Sequence, residues 1–199
     1  MLLPGYLDSP DYLHLKTFEK RLIELGFIVE RLDPCNLWET GDTSKYTITN
    51  IIDQVKARVS FYNEQNPSEI ILIGHSLGGF TSIVVGNILP EITKIIALCP
   101  PSSIEGLGTK WENRLSRVSK RDLPNDISAY REFDIPSTFV DDARKYSAIE
   151  AVRQITKPLM ILIAMADSSV PPDETELLVS NATKPHVVRI QGMVHNFRF

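Results

Sequence analysis

The sequence predicts an α/β protein: a three-layer sandwich with a mostly or wholly parallel six-stranded sheet and helices on both of its faces. Two observations predict it. Short apolar runs alternate with segments whose apolar residues recur at three- and four-residue steps, the signature of parallel strands joined by right-handed helical crossovers. The two patterns meet where Ile70-Ile71-Leu72-Ile73 runs into Gly74-His75-Ser76-Leu77-Gly78-Gly79-Phe80. The run reads as a strand buried on both faces, and Leu77, Phe80, Val84 and Ile88 mark the core stripe of the helix after it.

The other elements follow in order. Leu2-Leu3 is a stub of strand ended by Pro4-Gly5, and a helix from Tyr12 carries Leu15, Phe18, Leu22 and Leu25 on one face, with Gly26 as C-cap. Phe27 to Leu32 reads as the second strand, closed by Asp33-Pro34. Ile48, Ile51, Ile52, Val55, Val59 and Tyr62 mark a helix that ends at Asn66-Pro67. The central strand and its helix run to Pro90, and Lys94 to Leu98 is the fourth strand. Residues 101 to about 137 then break the alternation with Ser, Gly, Pro and charge. No strand is expected there, and Trp111, Leu115 and Val118 suggest one short helix. A helix from about Thr138 to Ile155, a strand from Pro158 to Ala164, a helix from Asp173 to Asn181 and a strand from His186 to Ile190 complete the pattern.

At 199 residues the expectation is one domain, 1–199, with residues 101–137 inserted as a lid-like segment. A net charge of −4 offers no general attraction for nucleic acid or an anionic membrane. No apolar run is long enough for a membrane span, and Met1-Leu2-Leu3-Pro4-Gly5 lacks the basic and apolar regions of a secretory signal, so a cytoplasmic location is expected. Cys35 and Cys99 each stand beside a proline without metal-ligand spacing and read as buried thiols. No metal and no cofactor are expected. Lys110, Arg114, Arg117, Lys120 and Arg121 form a basic cluster that reads as a solvated face, with a site for an acidic substrate or partner as the alternative.

Chemistry enters at Ser76. Gly74 and Gly78, two residues to either side, remove the Cβ atoms that would clash as strand and helix close on a sharp turn. That turn lifts the hydroxyl to the C-terminal edge of the sheet, where such folds bind ligands, beside the first N–H groups of a helix. A serine attacks only when a base takes its proton, and the base needs an orienting carboxylate. His14 sits in the first helix, His75 occupies the elbow position that points away from the hydroxyl, and His186 opens a strand at the opposite edge. His195 follows the last strand on the correct edge and reads as the base. Asp167, just beyond the strand Leu159 to Ala164, reads as the orienting acid, whereas Asp173 reads as the start of its own helix. A tetrahedral oxyanion needs two fixed donors, and the N–H of Leu77, directly after the serine, is one.

Three stretches, Gly74-His75-Ser76-Leu77-Gly78-Gly79, Asp167-Ser168-Ser169-Val170-Pro171 and Gly192 to Phe197 with His195, stand in the order Ser, Asp, His. In this the sequence resembles the α/β-hydrolase family over essentially its whole length. The resemblance implies that fold without its first two strands, with the last helix absent or reduced, and a triad of Ser76, Asp167 and His195. It implies Glu105 as the alternative acid, since some relatives carry one after the fourth strand. The sequence departs from the family at Ala164, where a glycine is usual, and at Pro4-Gly5-Tyr6-Leu7, where the family opens His-Gly. Aligning the glycine implies the N–H of Tyr6 as the second oxyanion donor, with Leu7 as fallback. The implied activity is a cofactor-independent serine hydrolase acting on a small-molecule ester or thioester of a small to medium acyl group. The alternatives are a peptidase or amidase with the same triad, and a non-catalytic binding protein that retains the fold.

Overall fold

A two-residue strand sets the frame. The computed structural model describes residues 1–104 and 114–196. In chain order they form β1 (Leu2–Leu3), α1 (Leu13–Glu24), α2 (Leu37–Thr40), α3 (Ile48–Asn63), β2 (Ile71–His75), α4 (Leu77–Ile88) and β3 (Lys94–Leu98). A hairpin of β4 (Ser116–Leu123) and β5 (Asp126–Pro136) follows, then α5 (Thr138–Ala143), α6 (Ala148–Gln154), β6 (Leu159–Ala164), α7 (Pro172–Asn181) and β7 (His186–Ile190). The main sheet has the order β1-β2-β3-β6-β7, and every pairing in it is parallel. All of its strands therefore end on one edge, and the loops that leave that edge carry Tyr6, Ser76, Asp167 and His195.

The helix after β2 is buried almost all round. Leu77 through Gly86 are all buried, and α4 packs on β1, β2 and β3 between α3 and α6. Glycine makes the approach possible. A Cβ on Gly78 would fall onto the carbonyl oxygens of Leu3 and Pro4, and one on Gly74 onto the backbone of Gly78. Phe80, Ile83 and Val85 then join Leu72, Ile95 and Ile161 in the core between helix and sheet.

Three expectations are corrected. The main sheet of the described residues has five strands, not six. Phe27 to Leu32 does run parallel to β1, with Leu2 N–H donating to the Glu30 carbonyl and Leu32 N–H to the Leu2 carbonyl. A two-residue strand offers only one rung, however, so the pairing stops at the single bridge between Leu2 and Arg31, and Ile28 is left 84% exposed. The helix expected from Thr138 to Ile155 is two helices, because Ser147 caps the second by accepting from the Glu150 N–H at 3.2 Å.

The third correction is the hairpin. Residues 116–136 form two long antiparallel strands around a Pro124-Asn125 turn, where no strand was expected. Of the short helix expected from Trp111, Leu115 and Val118, Val118 lies in β4. Trp111, Lys110 and Glu105 lie outside the described residues. The inward row of β4 is Arg117, Ser119 and Arg121, so the alternation that marks a half-buried strand is absent from its sequence. Only Phe133 and Ile135 of β5 enter the core. Three further bonds tie the hairpin down: Tyr12 Oη donates to the Asp122 carbonyl at 2.9 Å, Arg131 donates to the Trp38 carbonyl, and Arg121 reaches the loop after β1.

Gly78→Ala is expected to lower the unfolding free energy by at least about 2 kcal/mol in urea titration, since the new methyl meets backbone that cannot move aside like a side chain. A variant with unchanged stability would show that helix and strand do not meet here.

Candidate active site

Ser76 occupies the turn between β2 and α4 with φ 52 and ψ −118. That backbone conformation is costly for a residue with a Cβ and persists only where its surroundings enforce it. Its N–H donates to the Leu98 carbonyl at 2.8 Å and its own carbonyl accepts from Phe80 at 3.0 Å. The hydroxyl is thereby left facing outward from the edge of the sheet.

The side chains predicted from distant loops converge on it. His195 Nε2 lies 2.9 Å from Ser76 Oγ, and His195 Nδ1 lies 2.6 Å from Asp167 Oδ2. The other Asp167 oxygen accepts from the N–H groups of Ser169 and Val170, both at 2.8 Å. A carboxylate can only accept, so Nδ1 carries the donated proton and Nε2 presents its lone pair to the serine. Burial raises the Asp167 pKa, but the His195 bond and the two backbone donors outweigh it and hold the carboxyl below its ordinary value.

His75 does more than pack. It is 2% exposed, and its Nε2 donates to the carbonyl of His195 at 2.9 Å. The loop carrying His195 is therefore fixed through both its backbone and its ring. His75 Nδ1 lies 3.7 Å from Asp8 Oδ2, and the ring of His14 stands edge-on at 5.7 Å. Buried His14 and Asp8 thus join His75 in one polar cluster beneath the site. Neither His75's bond nor this cluster was foreseen, because the partners lie 120 residues away or in other elements.

Both residues expected to hold an oxyanion border the same cavity. Leu77 is the first residue of α4, so no residue four positions back accepts from its N–H. Tyr6 lies in the loop packed against Gly78. The fallback is engaged elsewhere, since the Leu7 N–H donates to Tyr46 Oη at 2.9 Å. The cavity, of about 800 Å³, opens over Ser76 and His195, and its lining includes Tyr6, Val170, Glu174 and, from the hairpin, Arg117, Ser119 and Arg121. The basic cluster expected as a solvated face thus has three members, Arg117, Lys120 and Arg121, on the wall of the site. Phe197, part of the histidine-loop pattern, lies outside the described residues. The two cysteines are free, and burial pushes their thiols up, Cys35 to about 11 and Cys99 to about 12. Neither is a nucleophile near neutral pH. No helix among the described residues is long and apolar enough to cross a membrane.

A parallel sheet with a strained serine turn after β2, and an acid and a histidine on later loops of the same edge, is the α/β-hydrolase fold. It is similar to the mouse (Mus musculus) protein named palmitoyl-protein thioesterase ABHD10, mitochondrial, with 24% identity over 96% of this chain and 67% of that one. The rat (Rattus norvegicus) protein of the same name matches at 22% identity over 94% of this chain and 64% of its own length. Among solved structures the chain superimposes on Est1E from Butyrivibrio proteoclasticus with a TM-score of 0.76 at 19% identity, covering 98% of this chain and 78% of that one. The monoacylglycerol lipase of Paleococcus ferrophilus gives 0.68 at 18% identity, over 98% and 84%. No protein-family model matches the chain.

A depressed pKa for Asp167 means that the ionised group stabilises the fold above about pH 4, and that this contribution is lost as the pH falls through its lower folded value. Asp167→Asn is expected to flatten the acid limb of the stability curve below about pH 4. An acid limb of unchanged slope would show that the carboxylate is not held by its neighbours.

Proposed function

We propose that the chain is a serine hydrolase that cleaves an ester or thioester through an acyl-enzyme on Ser76. The observation that carries this reading is the unbroken line of hydrogen bonds from Asp167 through His195 to Ser76, at 2.6 and 2.9 Å. In the proposed cycle His195 Nε2 takes the hydroxyl proton as Oγ attacks the acyl carbon, and Asp167 holds the imidazolium that forms. The N–H groups of Leu77 and Tyr6 stabilise the oxyanion. His195 then protonates the leaving alkoxide or thiolate, and water, deprotonated by the same nitrogen, releases the acid. Each step uses groups of the chain alone.

The proposed substrate is a small molecule with a small to medium acyl group. Charged and hydroxylic walls support this: Arg117, Ser119, Arg121 and Glu174 would each lose hydration against a long hydrocarbon chain without regaining a hydrogen bond. The relatives divide between a protein named as a palmitoyl-protein thioesterase and others named as esterases and a lipase. The leaving group is therefore best decided on substrates that differ only in that atom. Residues 1–199 are read as one hydrolase domain, with the segment around the hairpin roofing the site. The proposed compartment is the cytoplasm. The mouse and rat relatives are named as mitochondrial, and cell fractionation would decide the matter.

A fluorophosphonate probe is expected to label Ser76 in the wild type and not in Ser76→Ala, and both Ser76→Ala and His195→Ala should lower kcat on p-nitrophenyl esters by at least about 10³-fold. Hydrolysis that persists in folded Ser76→Ala would end the serine mechanism. Equal treatment of esters and of anilides of the same acid would favour an amidase.

A further inference from the structure

The loop after β1 adopts a turn that its own sequence disfavours. Asp8 N–H donates to the Gly5 carbonyl at 3.1 Å, closing a four-residue turn whose third residue, Leu7, stands at φ 57. A positive φ at that place, with none at Tyr6, marks a type II turn, where glycine or asparagine is the usual occupant. Flipping the single peptide between Tyr6 and Leu7 would convert it to a type I turn, which leucine adopts without strain. Something outside the turn must hold that peptide where it is.

Both of its ends are held. The Tyr6 carbonyl accepts from Arg121 twice, from Nε at 3.1 Å and Nη2 at 2.7 Å. The Leu7 N–H donates to Tyr46 Oη at 2.9 Å. Tyr46 cannot turn aside, being 1% exposed and stacked on Phe139 with ring centroids 5.5 Å apart. Arg121 comes from the hairpin, 115 residues along the chain, and its Nε also lies 3.6 Å from Asp8 Oδ1 within the same turn. A flipped peptide would aim an N–H at the guanidinium and a carbonyl at the place where Tyr46 now accepts. The clamp thus favours one orientation over the other, and the charged pair of bonds is its stronger half.

We propose that Arg121 is a positioning residue for the oxyanion site, acting through the Tyr6–Leu7 peptide. The inference rests on the hydrolase reading above, in which the Tyr6 N–H is one of the two donors. That N–H belongs to the peptide next to the clamped one, so release of the turn moves it. An oxyanion donor contributes only when it is held at hydrogen-bond distance from the charge as it develops. Its misplacement weakens the transition state and leaves ground-state binding nearly unchanged. The hairpin is then part of the catalytic apparatus although it supplies no reacting group.

The test compares wild type, Arg121→Lys, Arg121→Ala and Tyr46→Phe on a p-nitrophenyl ester, with Ser76→Ala as control and thermal midpoints recorded for each. Arg121→Ala is expected to lower kcat by about 10- to 100-fold with KM within about threefold, and to slow fluorophosphonate labelling of Ser76 by a similar factor. Arg121→Lys, which keeps one charged donor, should recover part of the loss. Tyr46→Phe releases the other end of the same peptide without changing charge, and should lower kcat in the same direction. Should Arg121→Ala fail to fold, the lysine and phenylalanine variants still decide the matter. An unchanged kcat in folded Arg121→Ala, or a loss carried by KM alone, overturns the proposal, the latter because it would make Arg121 a substrate anchor. An inactive wild type, or an active Ser76→Ala, instead overturns the hydrolase reading on which it rests.

Discussion

The close approach of α4 to β1 governs the site. Gly78 lies so near the Leu3 and Pro4 carbonyls that no side chain fits between them, and this contact presses the start of the helix onto the loop that follows β1. Three placements follow. Ser76 is forced into its left-handed turn, Leu77 at the start of α4 borders the cavity, and the Gly5–Asp8 turn is brought beside both. A conformation such as φ 52, ψ −118 costs on the order of 1–3 kcal/mol. The Leu98 bond to the Ser76 N–H and the complete burial of α4 hold the serine there. Two glycines at this turn serve packing, and the serine between them carries the strain.

From that point the loops are tied to one another and not merely to the sheet. His75 joins the elbow to the histidine loop through the His195 carbonyl and faces Asp8 across 3.7 Å. Asp8 in turn faces Arg121 of the hairpin at 3.6 Å. Gly5 is needed inside this group, since a Cβ there would meet the Asp8 carboxylate and the His75 ring. Buried polar groups of this kind rigidify a site when their partners are met and are costly when they are not. A change at any one member is therefore felt at the others. His75, at the variable position of the elbow, stands at the centre of the group.

Much of this arrangement was legible in the sequence because strand ends announce themselves. Apolar runs that stop at Gly74, Cys99, Ala164 and Gln191 identify the edge of the sheet. A serine, an acid and a histidine that all follow such stops must share that edge. What was not legible lies in partners that no local pattern encodes. Phe27 to Leu32 looks like a strand by composition, yet its pairing depends on β1, which has only two residues. β4 carries arginine and serine on its inner face because that face lines a polar cavity, so the signal for a half-buried strand is missing. Arg121 read as one more surface cation for the same reason: its partner is a backbone carbonyl, and carbonyls have no sequence identity.

The anchoring of the hairpin bears on how the site is reached. Phe133 and Ile135 are 1% and 0% exposed, and lifting them out would forfeit about 1.5–3 kcal/mol for each side chain. The bonds from Arg121, Arg131 and Tyr12 would be lost at the same time. A hairpin held this way is a fixed wall of the cavity. Arg121 joins this wall to the loop after β1, so on the proposed reading selectivity and rate are coupled. A substitution that reshapes the inner face of β4 to admit another acyl group also disturbs the turn that carries Tyr6. Reshaping confined to the Ser168–Val170 side of the cavity would leave that turn alone, but it acts on the backbone N–H groups of Ser169 and Val170 that hold Asp167.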